Sequence, residues 1–405
     1  MKLGFAAPAP GRSGFSIEDA ALPSGAATPR EQEPVQRPAM RPMPKLDTPL
    51  KLSPIFKPKI WGVDELTPLF EWPAPEKIAD DRGASAQPGE ENLIGEVWIT
   101  DESSQILNGP ASGLALGEAS AKYRSRLNGA NWKDRRFPIL SKYIFTSDWL
   151  SLQVHPDDRY ARKHDPGNLG KCEMWYIIHA EPEAEILLGM KPGTTLEELR
   201  EACERGKSKD LLYRFHPRAG EAIFVPPGTV HALGPGLVIF EAEEHSDMTY
   251  RLDDFGRVGL DGKPRPLHLE KGFGVITPEA PPLRSLPRCV VLEPFGSRRY
   301  ILGCPHFAVE ELRLRKTGHF KASVEHAEML SIVAGAGRME TGAGWMGYRA
   351  GDTWVVPPGA GPYRVAPVEK TRALKFYVPD LEKDFKRPLS RRGFKAGQIR
   401  KILFD

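Results

Sequence analysis

Short apolar runs, broken by glycine and proline, dominate the middle of the chain. Residues 139–155 alternate roughly between apolar and polar types and are rich in β-branched and aromatic side chains, and residues 173–188 form two apolar runs around a polar turn. Residues 221–225 and 236–241 repeat this style. Strands at intervals of about 8–15 residues with Gly/Pro turns are typical of a barrel or jelly roll. The pattern therefore predicts a mainly β fold.

One segment departs from the strand pattern. Thr195 and Glu198 have the spacing of a capping box, and Leu199 and Cys203 share one face of a helix that follows it. We expect a short helical insertion near residues 194–213 that packs on the β core.

The β pattern occurs twice. Two stretches recur later in the chain: GEAIFVPPGTVHAL (220–233) as GDTWVVPPGAGPYRV (351–365), and EMWYII (173–178) as EMLSIV (328–333). Two copies of one β unit are implied. Pro362 stands where the first copy has His231, so only the first copy keeps a potential metal ligand at that turn.

Composition sets the two ends of the chain apart. The first 45 residues contain eight prolines without periodicity, and such a segment cannot bury enough apolar surface to offset its ordering entropy. We expect residues 1–45 to form a flexible, disordered Pro-rich arm. Residues 383–405 carry eight basic side chains against two acidic ones, which predicts a solvated basic C-terminal tail.

Charge and hydropathy exclude several classes of protein. The 405 residues hold 56 basic and 53 acidic side chains, and a net charge of +3 gives no field that would favour nucleic acid or an anionic membrane. There is no apolar run long enough to span a membrane and no secretory leader at the N-terminus, so we expect a cytoplasmic protein. The four cysteines lie far apart without a C-x-x-C pair, which excludes a disulfide framework and a zinc–thiolate site.

Four residues at strands and turns could share a metal ion. Gln153 and His155 are two apart on a predicted strand and project from the same face. Glu173 opens the next strand, and His231 follows the reversing turn Pro226-Pro227-Gly228-Thr229. Two imidazoles, one carboxylate and one amide oxygen suit Zn²⁺ or a similar divalent ion, with room for water or substrate.

Ordered motifs along the first two thirds of the chain resemble a known family. The motifs are IFKPKIWG (55–62), IGEVWI (94–99), FPILSKYI (137–144), LSLQVHPDD (150–158), GKCEMWYII (170–178), VPPGTVHALG (225–234), SDMTYRLDDFGR (246–257) and DGKPRPLHLEKGFGVI (261–276). Together they resemble the short bacterial type of class I mannose-6-phosphate isomerases, a cupin family. The resemblance implies two cupin (jelly-roll) barrels: a metal-binding domain over residues 46–280 and a second, degenerate domain over residues 281–382.

The resemblance also implies roles for individual residues. The family's zinc ligands fall on the four residues grouped above, Gln153, His155, Glu173 and His231. Catalytic positions fall on Arg251, Glu241, Asp247 and Lys171. Substrate-binding positions fall on Lys142, Ser151 and Arg257, where Lys142, Lys171 or Arg257 would hold a sugar phosphate.

The implied reaction interconverts mannose 6-phosphate and fructose 6-phosphate without redox change. A proton leaves C2 and returns at C1 through an enediol, whose negative charge a cation and Arg251 would stabilise. Glu241 or Asp247 could be the base if burial raised its pKa, and Lys171 or a metal-bound water stays possible.

Two other functions remain open at this stage. A metal-dependent cupin oxygenase typically uses three His and one carboxylate, and Gln153 in place of a third His argues against it. A sugar-responsive binding protein on a retired isomerase scaffold is the alternative outside enzymes, and the retention of all four ligands and Arg251 argues against that.

Overall fold

The computed structural model describes residues 43–70, 93–130, 132–278 and 288–404. All of these except Met43 belong to one compact unit, residues 44–405. The predicted arm, residues 1–45, lies almost entirely outside the described residues. Within the described part of the chain, no helix has the length and apolar character that crossing a membrane would require.

The described chain is mainly β, as the sequence pattern predicts. The strands are β1 (Leu50–Leu52), β2 (Ile55–Val63), β3 (Ile94–Trp98), β4 (Ile139–Thr146), β5 (Leu152–Val154), β6 (Glu173–Ala180), β7 (Ile186–Met190), β8 (Leu212–Phe215), β9 (Ala222–Val225), β10 (His231–Leu233), β11 (Leu237–Glu244), β12 (Tyr250–Asp253), β13 (Cys289–Glu293), β14 (Gly296–Gly303), β15 (Ala308–Leu314), β16 (Gly318–Lys321), β17 (Glu328–Ala334), β18 (Gly337–Thr341), β19 (Gly344–Tyr348), β20 (Thr353–Val356), β21 (Pro362–Pro367) and β22 (Thr371–Tyr377).

Helices are short and lie between or after the strands. They are α1 (Leu116–Tyr123), α2 (Ser125–Asn128), α3 (Asp158–His164), α4 (Leu196–Glu204), α5 (Leu269–Phe273), α6 (Arg387–Arg391) and α7 (Ala396–Arg400), with 3₁₀ turns at Gly109–Ala111 and Ser208–Leu211 and a π-helical turn at Leu381–Lys386. The predicted helical insertion is confirmed as α4, where Thr195 is the N-cap and forms a capping box with Glu198. Leu199 and Cys203 bury its apolar face.

The strands form two barrels, each built from two antiparallel sheets. The first barrel combines a six-stranded sheet, β2-β3-β4-β11-β6-β9, with a five-stranded sheet, β12-β5-β10-β7-β8. The second barrel combines a seven-stranded sheet, β1-β20-β17-β22-β15-β14-β13, with a four-stranded sheet, β16-β21-β18-β19. Strand β1 pairs with β20 and places Leu50 opposite Val355. The expected first domain, residues 46–280, thus contributes its first strand to the second barrel.

Each barrel has its own apolar interior, and a third cluster joins them. Trp175 and Ile239 lie in the interior of the first barrel, and Leu330 and Trp354 in that of the second. Between the large sheets, Phe240 of β11 meets Phe376 of β22 with ring centroids 5.3 Å apart. The contact faces are apolar on both sides, so the barrels are stabilised against each other by burial of hydrophobic surface.

The end of the chain is not the solvated tail that its charge predicts. Residues 381–404 form the π-helical turn, α6 and α7, and Phe385 and Leu389 are fully buried. They pack in one cluster with Tyr300 and Tyr377 of the second barrel. The expectation is wrong because apolar side chains four residues apart, inside a basic run, anchor one face of the segment while its charges stay outside.

Candidate metal centre and substrate pocket

Three neighbouring strands and one turn bring the four predicted ligands together. His231 at the start of β10 lies directly opposite Gln153 of β5, and His155 follows β5. The turn before His231 is held close to this strand, because the Gly228 amide donates to the His155 carbonyl at 2.9 Å. Gly228 has φ +82°, and a Cβ there would lie 2.5 Å from Thr277 Oγ1, so this position requires glycine.

The donor atoms converge on Glu173, which opens β6. His231 Nε2 is 3.2 Å from Glu173 Oε1, and His155 Nε2 is 3.5 Å from Glu173 Oε2. One donor atom from each of these three residues lies within 4.8 Å of the others. Gln153 joins them through its amide, whose Nε2 lies 3.1 Å from His231 Nε2. All three charged or titratable ligands are buried, with at most 1% of the side chain exposed.

The surrounding backbone fixes the orientation of both imidazoles. His155 Nδ1 donates to the Met248 carbonyl at 2.8 Å, and His231 Nδ1 donates to the Thr229 carbonyl at 2.9 Å. With the proton on Nδ1, each Nε2 presents a lone pair toward Glu173. Burial lowers the pKa of His155 and of His231, so both rings stay neutral at physiological pH.

Several buried polar atoms here have no hydrogen-bond partner among the described residues. They include both carboxylate oxygens of Glu173 and Nε2 of His155. The short His–Glu separations therefore lack hydrogen-bond geometry. Buried hydrogen-bond acceptors without a partner are energetically costly. When several of them face a common point, their lone pairs can instead coordinate a cation.

Two buried lysines lie beside this group. Lys171 Nζ contacts Glu243 at 2.8 Å and Glu173 at 3.0 Å. Lys142 Nζ contacts Asp247 at 2.8 Å and Glu243 at 3.0 Å. Burial alone would lower the pKa of each lysine, but the adjacent carboxylates outweigh it and raise both pKa values, so both side chains are ammonium ions at neutral pH. Lys171 in turn lowers the pKa of Glu173 against the effect of burial.

A pocket of about 270 Å³ opens beside the predicted metal ligands and the two buried lysines. Its wall includes Glu241, whose Oε1 accepts from Trp175 Nε1 at 2.9 Å and whose Oε2 lies 3.5 Å from Lys142 Nζ. Asp247 is also on the wall but has 48% of its side chain exposed. The Lys142 charge lowers the pKa of Asp247 against the effect of burial.

The pocket brings together most of the residues that the resemblance implies. Its wall contains Lys59, Trp61, Glu96, Lys142, Ile144, Leu150, Ser151, Gln153, Lys171, Trp175, Leu233, Glu241, Asp247, Thr249, Arg251 and Arg265. Arg251 lies opposite Gln153 in the pairing of β12 with β5, which places it beside the ligand group. Its Nη1 donates to the Pro266 carbonyl at 2.9 Å, and its buried Nε has no partner in the described parts of the chain.

Arg257, which we expect to bind substrate, is the exception. It is not on the pocket wall. Its guanidinium contacts Asp148 at 3.0 Å and Asp254 at 2.9 Å, and it also donates to the Trp149 carbonyl. These partners occupy its donors in a network beside the pocket.

Sequence reasoning missed four charged residues of this region. Lys59, Glu96 and Arg265 lie on the wall, and Glu243 bridges the two buried lysines. The signal was available, since Lys59, Glu96 and Arg265 stand inside the quoted motifs and Glu243 is two residues after Glu241 on one strand.

Known proteins are similar to this chain in sequence and in fold. The model of the type I phosphomannose isomerase catalytic domain matches residues 50–183. The chain is 34% identical over 321 residues to mannose-6-phosphate isomerase ManA of Bacillus subtilis, a match that covers 78% of this chain and 95% of that protein. It is 33% identical over 310 residues to mannose-6-phosphate isomerase of Streptococcus mutans, with 76% and 92% covered.

Among solved structures, the mannose 6-phosphate isomerase from Bacillus subtilis superposes with a TM-score of 0.71 at 27% identity. That match covers 81% of this chain and 99% of that one. The likeness therefore extends over both barrels.

Proposed function

This chain belongs to the type I mannose-6-phosphate isomerases, and we propose that the four convergent ligands bind its divalent metal ion. The protein is an aldose–ketose isomerase that interconverts mannose 6-phosphate and fructose 6-phosphate. The observation that carries the metal proposal is a meeting of three residues beside the pocket. Glu173 oxygens and His155 Nε2, which make no hydrogen bond within the described residues, converge with a second neutral imidazole, His231.

The residues present fit zinc. Two neutral imidazoles, one carboxylate and the Gln153 amide oxygen, once the amide is turned by 180°, form a borderline donor set of the kind that zinc prefers. An ion held by these residues would supply positive charge for the negative charge that develops on the sugar oxygens. A single carboxylate among the four ligands would not cancel the charge of a divalent ion.

Glu241 carries the proton between the two carbons. It is buried on the pocket wall and held by Trp175 Nε1 and Lys142, so its carboxylate is oriented before the sugar arrives. Taking the proton from C2 leaves the C–H electron pair as the C1–C2 double bond of the enediol and moves negative charge onto oxygen. Returning the proton to C1, while the hydroxyl proton moves from O2 to O1, forms the C2 carbonyl and completes the ketose. Asp247 is less suited to this role, because its half-exposed carboxyl has a lowered pKa and binds Lys142 directly.

Two cationic groups face the oxygens on which charge develops. Lys171 stays protonated beside Glu173 and therefore acts as a hydrogen-bond donor rather than as a base. Arg251 has a buried Nε–H available on the same wall, next to Gln153. Donors fixed before reaction stabilise the enediolate without reorganisation.

Paired measurements of metal content and turnover test this proposal. Purified protein is assayed for conversion of mannose 6-phosphate before and after dialysis against a chelator, with the metal quantified in the same samples. We expect one ion per chain, parallel loss of metal and activity, and recovery with Zn²⁺. Full activity in metal-free protein would overturn the metal proposal. Binding of the sugar phosphate without turnover by the loaded protein would instead identify a sugar-responsive binding protein.

A further inference from the structure

The pocket contains more cationic groups than its reacting end can use. Its wall has five: Lys59, Lys142, Lys171, Arg251 and Arg265. The two buried lysines are already held between carboxylates. A phosphate dianion placed beside them would meet those carboxylates at close range, which is repulsive in a low-dielectric site. Neither buried lysine is therefore suited to anchor a phosphate group.

Lys59 lies at the opposite side of the large sheet from the ligand group. It is on β2, the edge strand, whereas Glu173 is on β6, and β3, β4 and β11 stand between them. Because the sheet curves around the pocket, Lys59 and Gln153 nevertheless lie on the wall of the same cavity. A sugar phosphate that binds across this cavity would place its phosphate near Lys59 and its C1–C2 end near the metal ligands.

Arg265 shares an aromatic platform with Lys59. The Lys59 ammonium lies 5.5 Å and the Arg265 guanidinium carbon 5.2 Å from the centroid of the Trp61 ring. The close packing of this group depends on Gly95 of β3, where a Cβ would lie 2.5 Å from Lys59 Cβ and 2.8 Å from Trp61 Nε1. The platform is therefore built into the edge of the sheet rather than formed by surface side chains alone.

Hydrogen-bond donors of Arg265 and Trp61 are available to an anion. Arg265 binds Asp254 through Nε, at 2.7 Å, and through Nη2, which fixes the guanidinium plane. Its Nη1 has no hydrogen-bond partner within the described ranges. Trp61 Nε1 is buried and also unpartnered there. Within the part of the chain that the structure describes, Lys59 contacts one carboxylate, that of Glu96, at 3.2 Å.

We propose that Arg265 and Lys59, packed over Trp61, anchor the phosphate group of the substrate. This inference rests on the proposed isomerase site, because it is the position of the metal ligands that makes the Trp61 side the far end of the pocket. A planar guanidinium held by one carboxylate can offer paired N–H donors to phosphate oxygens, and the ammonium adds a point charge.

The matched variants Arg265→Ala and Arg257→Ala test the anchor. Each removes one guanidinium that binds Asp254, but only Arg265 is on the pocket wall. We expect Arg265→Ala to raise KM for mannose 6-phosphate about 10- to 100-fold with kcat changed less than about threefold. The KM change in Arg257→Ala should be at least about fivefold smaller. An equal or larger KM change in Arg257→Ala, or a loss in kcat alone for Arg265→Ala, would overturn the anchor.

A binding measurement separates the anchor from the reaction. Calorimetry with inorganic phosphate and the metal-loaded protein should show binding that weakens at least about tenfold in Arg265→Ala and less in Lys59→Gln. This readout does not need turnover, so an enzyme that fails to isomerise mannose 6-phosphate would refute the proposed function and still report on the anchor. Unchanged phosphate affinity in both variants would refute the anchor. If Arg265→Ala does not fold, Arg265→Lys is measured with the same criteria.

Discussion

The large sheets of the two barrels contain equivalent strands in the same order. In the first barrel the order is β2-β3-β4-β11-β6-β9, and in the second it is β13-β14-β15-β22-β17-β20. The internal repeat aligns Glu173 with Glu328 at the start of β6 and β17. Pairing of β11 with β4 sets Glu241 opposite Lys142, and pairing of β22 with β15 sets Lys375 opposite Glu310. At this pair of equivalent positions, the acidic and the basic residue have therefore changed places between the two barrels.

That exchange changes the hydrogen-bond partners of the buried charged side chains in each barrel. In the second barrel Lys375 Nζ binds Glu328 at 2.7 Å, and Glu310 accepts from Tyr377 and Arg298 at 2.6 and 2.5 Å. In the first barrel the Glu173 oxygens have no hydrogen-bond partner among the described residues. The buried charges of the second barrel are satisfied by their own side chains. Glu173 in the first barrel has the Lys171 ammonium 3.0 Å away and otherwise faces two imidazoles that cannot donate to it.

The two barrels also differ at the end next to these buried charged side chains. A pocket opens there in the first barrel. In the second, the C-terminal helices cover it, with the Phe385 ring 5.2 Å from that of Tyr300. One β frame thus serves either stability or chemistry, according to whether all of its buried charges are paired by hydrogen bonds or some stay available to a ligand.

The largest contrast is expected from the same substitution in both barrels. Glu173→Gln removes the only charged ligand, so we expect kcat/KM to fall at least about a thousandfold, or about 4 kcal/mol of transition-state stabilisation. Glu328→Gln leaves the Lys375 ammonium buried without its carboxylate and should lower the free energy of unfolding by about 3 kcal/mol.

Steady-state kinetics and denaturant unfolding of both variants measure this contrast. Folded Glu328→Gln should keep kcat within about threefold of the parent protein. A large loss of activity in Glu328→Gln without destabilisation would show that the barrels do not divide the roles in this way.

A second prediction concerns the helices that cover the second barrel. Phe385→Ala creates a cavity at a fully buried site and should lower the free energy of unfolding by about 3–5 kcal/mol, with KM unchanged. Phe394→Ala, in the same segment but only partly buried, is the matched control and should cost clearly less. Equal unfolding midpoints for the two variants would show that the segment does not stabilise the barrel.

A third, smaller effect is expected at Arg251. Arg251→Lys replaces a planar guanidinium by a point charge and should lower kcat about 10- to 100-fold without changing the melting temperature. The same replacement at Arg364, which pairs with Glu340 in the second barrel, should leave kcat unchanged. A normal rate for Arg251→Lys would mean that this guanidinium only supports the strand.

The smallest effect concerns an ion pair between the barrels. His306 Nδ1 lies 2.9 Å from Glu244 Oε2, and although burial opposes protonation of His306, the Glu244 carboxylate raises its pKa above the ordinary value of 6.5. The pair's stabilisation is therefore full below about pH 6.5 and is lost as the pH rises through the raised pKa. Because His306 is about one third exposed, the change should be below about 1 kcal/mol.

Unfolding curves between pH 6 and pH 9 measure the interbarrel pair. His306→Gln should remove this part of the pH dependence and leave the rest. An identical pH profile in the variant would show that the pair contributes nothing.

The sequence predicts the four convergent ligands because each sits at a strand end or turn whose geometry is local. Local signals also predict α4 through its cap and the strands through their alternation. Helix α1 was missed, although Leu116, Ala119 and Tyr123 are spaced to bury one face. The pairing of β1 with β20 could not be predicted, since three residues carry no register signal across some 300 positions.

The polar contacts of the pocket depend on folding in a similar way. Lys142 stands in an apolar strand, and only the neighbouring strand and a loop supply the carboxylates that make its burial tolerable. Likewise, Arg257 and Arg265 are both cationic residues of one loop region that bind Asp254. Which of them faces the pocket follows from tertiary packing alone.

Metal stoichiometry across four proteins tests most directly whether a single ion belongs to the first barrel. The parent protein, Glu173→Gln, His231→Ala and Glu328→Gln are purified identically, and zinc per chain is measured together with retained fold. We expect one ion in the parent protein and in Glu328→Gln, and a loss of at least about tenfold in metal occupancy for Glu173→Gln and His231→Ala. Undiminished metal in both ligand variants, or loss of metal in folded Glu328→Gln, would contradict it.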